Sequence, residues 1–151
     1  MSELRARYAG KPDQEYWAEQ TEILIDAASG WLEHAKGDEA EALSRLRRAA
    51  ALEDVSEKHV AMENRVFATR EQLGYLLLDL GRPRDALVEF EASFRLTPNR
   101  LRGYHGAALA ADRAGEAGTA DFYWEKLRAL TVDGDGTRAE VAAARPAVAR
   151  P

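Results

Sequence analysis

Residues 73–98, LGYLLLDLGRPRDALVEFEASFRLTP, place small, bulky and helix-breaking side chains at intervals that suit two antiparallel helices joined by a tight turn. Gly81 favours the left-handed residue that follows a helix, and Pro83 suits the first turn of the next helix because its φ angle is fixed and it has no N–H. The second helix is expected to end before Pro98, since proline cannot continue the hydrogen-bond ladder. The stretch therefore predicts a helical hairpin.

The same spacing occurs three times along the chain. A glycine precedes an alanine by five residues, and a bulky side chain follows four residues later. The second and third copies are 34 residues apart, whereas the first lies 44 residues before the second. A repeated hairpin of this length predicts a stack of helix pairs. The recurring positions are Gly37, Ala42 and Leu46, then Gly81, Ala86 and Phe90, and then Gly115, Ala120 and Trp124.

Helix packing explains why these residue types recur. Gly74 allows a second helix to approach closely, Ala86 is small at the crossing, and Phe90 fills the gap beside it. Pro98 ends the pair so that the next can begin. Ala120 and Trp124 take the corresponding positions in the third copy.

On the spacing of Leu73-Gly74, Ala86, Phe90 and Pro98, the chain resembles the tetratricopeptide repeat family. The resemblance implies an all-α, right-handed stack of about three antiparallel helix pairs. The match is uneven, because Arg70 stands where the family has tryptophan, and the third copy lacks the Leu-Gly pair and the proline.

A more specific resemblance covers residues 31–130. This region looks like the C-terminal part of longer bacterial tetratricopeptide proteins that have no assigned function. The resemblance rests on the segments LEDVSEKH, ATREQLGYLLLDLGRPRDALVEFEAS and PNRLRGYHGAALAADRAG. It implies a bacterial protein and a fold, but no activity.

The pattern predicts three segments. Residues 1–12 form an N-terminal arm, and residues 13–131 form the helical domain, with pairs at about 13–53, 66–97 and 100–130. Residues 56–65 lack a clear apolar stripe and are interpreted as a connection. Residues 132–151 are rich in Gly, Ala, Pro and Arg, with little to bury, and are predicted to be a disordered tail.

The first helix is predicted from one stripe of mainly apolar residues that ends near Gly37, with Gln20 facing the core. Asp38 is expected to cap the second helix while Glu41 reaches back to the Asp38 backbone. The basic residues Arg45, Arg47 and Arg48 are interpreted as a solvated face with pairs inside the helix. The stripe consists of Tyr16, Trp17, Gln20, Ile23, Leu24, Ala27, Ala28, Trp31 and Ala35.

Composition excludes several classes of protein. The 151 residues contain no cysteine, which removes thiol catalysis, thiolate metal sites and disulfides and favours a reducing, cytoplasmic compartment. The net charge of −5 with interspersed signs argues against nucleic acid as a partner. No signal peptide or membrane span is expected, and no motif for an enzyme, cofactor or metal site occurs. The protein is predicted not to be an enzyme and to need no cofactor.

In tetratricopeptide proteins, the inner face of each first helix lines a concave groove, and the same face predicts a binding site here. Its mixed aromatic and polar residues favour a protein or peptide partner, so the predicted function is that of a non-catalytic interaction module, a scaffold or adaptor. Glu71 and Tyr75 stand in places where some members carry the lysines and asparagines that clamp a terminal carboxylate, so such a ligand is not expected. The predicted groove residues are Trp31, His34, Glu71, Tyr75, Arg102, His105 and Asp112, with Leu24, Ala27, Ala68, Leu78 and Leu109 between them.

Three alternatives remain open at this point. The aromatic residues can be core and the charges a solvated face. The protein can be a regulatory subunit that binds a small ligand or a metal ion through the groove or through the loop of His59, which lies near Glu57 and Glu63. Exposed apolar residues at the ends of the stack can also support a homodimer, around Ile25, Leu32, Phe122, Tyr123 and Leu127.

Overall fold

A computed structural model describes residues 15–56, 66–134 and 137–144, and these form seven α-helices and no strand. The all-α expectation is confirmed. No helix in the described parts is long and apolar enough to cross a membrane. The helices are α1 Glu15–Lys36, α2 Glu39–Val55, α3 Thr69–Asp79, α4 Pro83–Ser93, α5 Leu101–Ala114, α6 Ala117–Leu130 and α7 Ala139–Ala144.

The chain divides into two compact units, Met1–Leu76 and Leu77–Pro151. The first contains α1, α2 and most of α3. The second contains the end of α3 and α4 to α7. The predicted arm, residues 1–12, lies outside the described residues, as do residues 57–65, where most of the predicted connection falls.

The turn between α1 and α2 lies at Gly37 as predicted, but the Asp38 backbone N–H donates to the Glu33 carbonyl at 3.0 Å rather than to the Glu41 carboxylate. Gly37 adopts a left-handed φ of 86°, and Oδ1 of Asp38 accepts a hydrogen bond from the Glu41 backbone N–H at 3.0 Å. The Glu41 carboxylate accepts from Nε of Arg45 at 2.7 Å, one helical turn further on. Asp38 therefore caps α2 with its side chain, while Glu41 supports the helix surface.

Close packing of α1 on α2 depends on Gly30, which lies 44 residues before Gly74, at the same place in the first copy of the repeat. A Cβ on Gly30 would lie 2.8 Å from Cγ of Leu46, which is fully buried. Ile23 and Ala27 are buried on the same face of α1, whereas Leu24 is 64% exposed. The predicted stripe is thus correct for Ile23 and Ala27 and wrong for Leu24.

The buried face of α1 includes an acid that the apolar pattern missed. Asp26 is 0% exposed, and its carboxylate accepts hydrogen bonds from Arg45 at 3.2 Å and from Arg48. Arg48 also reaches Glu22 at 3.1 Å. Arg45 forms the predicted pair within the helix, with Glu41, and both Arg45 and Arg48 keep exposed side chains. What the pattern missed is that both also pair across the helix interface with Asp26.

In the second unit, the repeat positions lie at a tight turn and on the buried faces of the helices. Gly81 has a left-handed φ of 69°, Pro83 begins α4, and Ala86, Phe90 and Ala120 are buried. The α4 helix ends at Ser93, ahead of Pro98.

The tight contact of Phe90 is with α5. A Cβ on Gly106 would lie 2.2 Å from Cζ of Phe90, so only glycine leaves room for the ring. The Phe90 ring therefore fills the space that Gly106 leaves on α5.

The prediction of a disordered tail is wrong for residues 139–144. They form α7, which packs against α5 and α6. Val141 and Ala144, one turn apart, are 9% and 2% exposed, so the segment had more to bury than its composition suggested. Residues 145–151 lie outside the described part of the chain.

Candidate partner-binding surfaces

Six of the seven predicted groove residues, all but Glu71, fall into two clusters, one in each unit. We call the first the Trp31 surface, formed by Trp31, His34, Phe67, Gln72 and Tyr75. The second is the His105 surface, formed by Arg102, His105, Asp112, Trp124 and Glu140.

A hydrogen-bond chain holds the Trp31 surface. Nε1 of Trp31 donates to Oε1 of Gln72 at 3.0 Å, and Nε2 of Gln72 donates to the Phe67 carbonyl at 3.0 Å. The His34 ring meets the Trp31 indole edge to face, with centroids 5.9 Å apart. This network joins α1 to α3 and fixes the plane of a half-exposed indole.

Tyr75 lies on the same helix as Gln72, one turn later, and is also half-buried. Its ring meets Phe67 edge to face, at 6.1 Å between centroids. The surface therefore offers large aromatic area beside the polar groups of His34 and Gln72, a composition typical of binding sites.

Glu71 does not belong to this surface, because it is 0% exposed. Ala68 and Leu78, predicted on the same face, are also buried at 3% and 4%. On α3 the predicted face is therefore correct for Tyr75 and wrong for Glu71 and Leu78, and Gln72 takes the accessible place that Glu71 was expected to hold. Gln72 and Phe67 were the residues missed. The i, i+3 spacing of Gln72 and Tyr75 was the available signal.

The His105 surface brings together three predicted residues that share one face of α5. The His105 ring meets the Trp124 indole edge to face at 5.9 Å, and Nε1 of Trp124 donates to Oδ2 of Asp112 at 2.8 Å. Trp124, predicted as a packing residue, thus bridges His105 and Asp112. All three side chains keep some exposure.

Residues of α7 complete the His105 surface. Oε1 of Glu140 lies 3.5 Å from Nε of Arg102 and 3.2 Å from Arg138. Burial lowers the pKa of His105, and the nearby Glu140 charge partly opposes this effect. Hydrogen bonds within its own segment and from the arginines lower the pKa of Glu140. The predicted groove residues Arg102 and His105 therefore face the chain's own α7.

Among the described residues, no group of three or more His, Asp or Glu side chains could hold a metal ion. His59, the centre of the alternative metal or ligand site, lies outside them. Of the apolar residues proposed for self-association, Leu32 and Phe122 are 55% and 51% exposed, whereas Tyr123 and Leu127 are buried.

Comparisons with known proteins identify the fold. The sequence matches no protein-family model, and no curated protein gives a significant match. The structure is similar to the crystal structure of PcrH from Pseudomonas aeruginosa, with 20% identity, 81% of this chain and 85% of PcrH covered, and a TM-score of 0.62. It is equally similar to PcrH in complex with the chaperone binding region of PopB, with 19% identity, 81% and 90% coverage and a TM-score of 0.62.

The fold is thus tetratricopeptide-like, as the repeat spacing predicted.

Proposed function

We propose that this protein is a non-catalytic interaction module that binds a segment of a partner protein. The observation that carries the proposal is the Trp31 surface, where Gln72 holds a half-exposed indole in one orientation. An aromatic side chain that is already ordered loses little entropy on binding and serves as an anchor.

The polar groups beside the anchors supply selectivity. On the Trp31 surface these are His34 and Gln72, and on the His105 surface they are Arg102 and Asp112. Glu71 takes no direct part, since its side chain is buried. PcrH, which shares the fold, has been crystallised with a region of PopB, and this supports a protein segment as the class of ligand.

The test is a selection of random peptides displayed on phage against the full chain, followed by fluorescence-polarisation titration of the enriched peptides. Trp31→Ala and Tyr75→Ala are expected to weaken binding at least about tenfold each, as truncated anchors do. Trp31→Phe keeps an aromatic ring at this position but loses the hydrogen bond to Gln72, and it should weaken peptide binding less than Trp31→Ala does.

Phe122→Ala is the matched control, because Phe122 is also aromatic and exposed but lies on neither surface. It should leave peptide affinity unchanged. Circular dichroism at the titration temperature establishes that each variant is folded. If folded Trp31→Ala and Tyr75→Ala chains bind the selected peptides as tightly as the parent chain, the proposal is wrong.

A further inference from the structure

The short helix α7 packs against the His105 surface and so shows which kind of segment this surface can bind. A helix of six residues is not stable alone in water, because isolated helices need about 12–15 residues to persist. The sequence AEVAAA is therefore helical because α5 and α6 hold it. The surface that does so selects a helical conformation in a short segment.

Three side chains of α7 define how it packs against α5 and α6. Glu140 faces Arg102 at 3.5 Å, and Val141 and Ala144 bury their side chains. The required pattern is a carboxylate followed, one and four residues later, by small aliphatic side chains. Ala144 lies one helical turn after both of the other residues, three positions from Val141 and four from Glu140.

The contact that holds α7 is small, and its ion pair is long. The Arg102–Glu140 distance exceeds the roughly 2.7–2.9 Å of a well-formed charged hydrogen bond, and the Arg102 side chain is 41% exposed. Only two side chains of α7 are buried. The connection between α6 and α7 includes Gly134, whose backbone freedom allows α7 to leave while α5 and α6 stay in place.

We propose that the His105 surface is a docking site for a helical partner segment with this acid-and-small-aliphatic pattern, and that α7 occupies the site in cis until such a segment displaces it. This inference rests on the proposed function and adds to it the chemistry of the partner and a device that lowers the apparent affinity of every competing segment by the same factor. The apparent affinity falls by the fraction of chains in which the site is open.

The probe is a labelled peptide with the sequence of residues 137–144, TRAEVAAA, acetylated and amidated at its ends. It is titrated into the full-length chain and into full-length Val141→Asp, where a buried charge releases α7. We expect the peptide to bind Val141→Asp at least about tenfold more tightly than the parent chain, because the open fraction is larger. Ala144→Asp is a second variant that should act in the same way.

Two matched control variants distinguish a change at the His105 surface from the general effect of adding or reversing a charge. Val132 is 77% exposed and lies just before the connection, so Val132→Asp should leave peptide binding at the level of the parent chain. In the Val141→Asp chain, Arg102→Glu should weaken the peptide at least about fivefold because it reverses the charge opposite the peptide carboxylate. Arg128→Glu, an exposed charge on α6, should not.

Hydrogen exchange on the full chain tests the opening itself. Backbone amides of α7 are expected to exchange much faster than those in the middle of α5, since local opening costs less than unfolding. Equal protection of α7 and α5 would mean a permanent cap and would overturn the proposal. So would equal peptide affinity for the parent and Val141→Asp chains, or an affinity that does not depend on Arg102.

The two proposals fail in different ways. If the affinity of the phage-selected peptides falls in Trp31→Ala but does not change in Val141→Asp, the proposed function stands. In that case α7 does not compete with a partner, and the further inference fails. If TRAEVAAA binds the opened chain through Arg102 but no selected peptide depends on Trp31 or Tyr75, the helix-docking chemistry stands and the proposed role of the Trp31 surface fails.

Discussion

Glu53 near the end of α2 caps the start of α3: its Oε2 accepts hydrogen bonds from the backbone N–H of Thr69 at 2.7 Å and from the Thr69 hydroxyl at 2.6 Å. Both residues are buried, at 7% and 2% exposure. The neighbouring pair Arg70 and Asp54 forms a two-pronged ion pair beside them. The Glu53 carboxylate, 16 residues away in sequence, thus accepts the hydrogen bond from a free N–H at the start of α3 that a neighbouring capping side chain would otherwise accept.

Removing this carboxylate should destabilise the protein strongly. Glu53→Ala leaves the buried donors of Thr69 without their acceptor, and we expect it to lower the free energy of unfolding by about 2–4 kcal/mol. Glu53→Gln keeps an acceptor oxygen and should cost less. The measurement is urea unfolding followed by circular dichroism. Glu125→Ala, an exposed acid on α6, is the control and should change little.

The Glu53–Thr69 contact also shows where sequence reasoning stops. The ends of helices that are followed by a glycine were predicted correctly, because Gly37, Gly81 and Gly115 all adopt left-handed φ angles at the predicted turns. The start of α3 was placed three residues too early, because its cap comes from α2 and leaves no local signature.

The candidate sites follow the same rule. Helical spacing placed Arg102, His105 and Asp112 on one face of α5, where all three contact residues of the His105 surface. It could not reveal that Gln72 rather than Glu71 is accessible, since a shift of one residue depends on the neighbouring helices. Nor could composition show that Val141 and Ala144 find partners on α5 and α6.

Asp26 should contribute stability through its two arginines. Asp26→Ala is expected to lower the free energy of unfolding by about 1–3 kcal/mol, the range for charged hydrogen bonds, because Arg48 is half-exposed and can regain water. A double-mutant cycle with Arg48→Ala measures the pair itself. Arg47→Ala is the matched control, since Arg47 is exposed on the other side of α2. A coupling energy of zero between Asp26 and Arg48 would contradict the pairing.

Gly106 is expected to tolerate no side chain while Phe90 is present. Gly106→Ala puts a Cβ into the Phe90 ring and should destabilise the protein by about 1–3 kcal/mol, as overpacked cores do. Phe90→Leu in the same chain should recover part of that loss. Thermal unfolding of the two single variants and the double variant tests this.

Gly118→Ala is the control for that series. A Cβ at Gly118 meets nothing within 4 Å, so alanine should be neutral or stabilising by up to about 1 kcal/mol through its helix propensity. Equal losses for Gly106→Ala and Gly118→Ala would show that steric contact with Phe90 is not the cause.

His105 should make stability depend on pH. Its pKa lies below the ordinary value of about 6.5 because burial disfavours the imidazolium. The folded chain therefore binds fewer protons at this site than the unfolded chain in mildly acidic solution. The stabilising effect is present above about pH 6.5 and is lost as the pH falls. Urea unfolding at pH 7.5 and pH 5 should show a larger acid loss for the parent chain than for His105→Gln.

Proton NMR titration of the His105 ring tests the cause of the shift. Because the Glu140 charge favours the protonated ring, Glu140→Gln should lower the pKa of His105 further while α7 remains docked. Glu125→Gln, which lies away from the imidazole, should leave it unchanged. A rise of the His105 pKa in Glu140→Gln would mean that α7 has left and that water has returned to the ring. Hydrogen exchange of the α7 amides tests independently whether α7 has left.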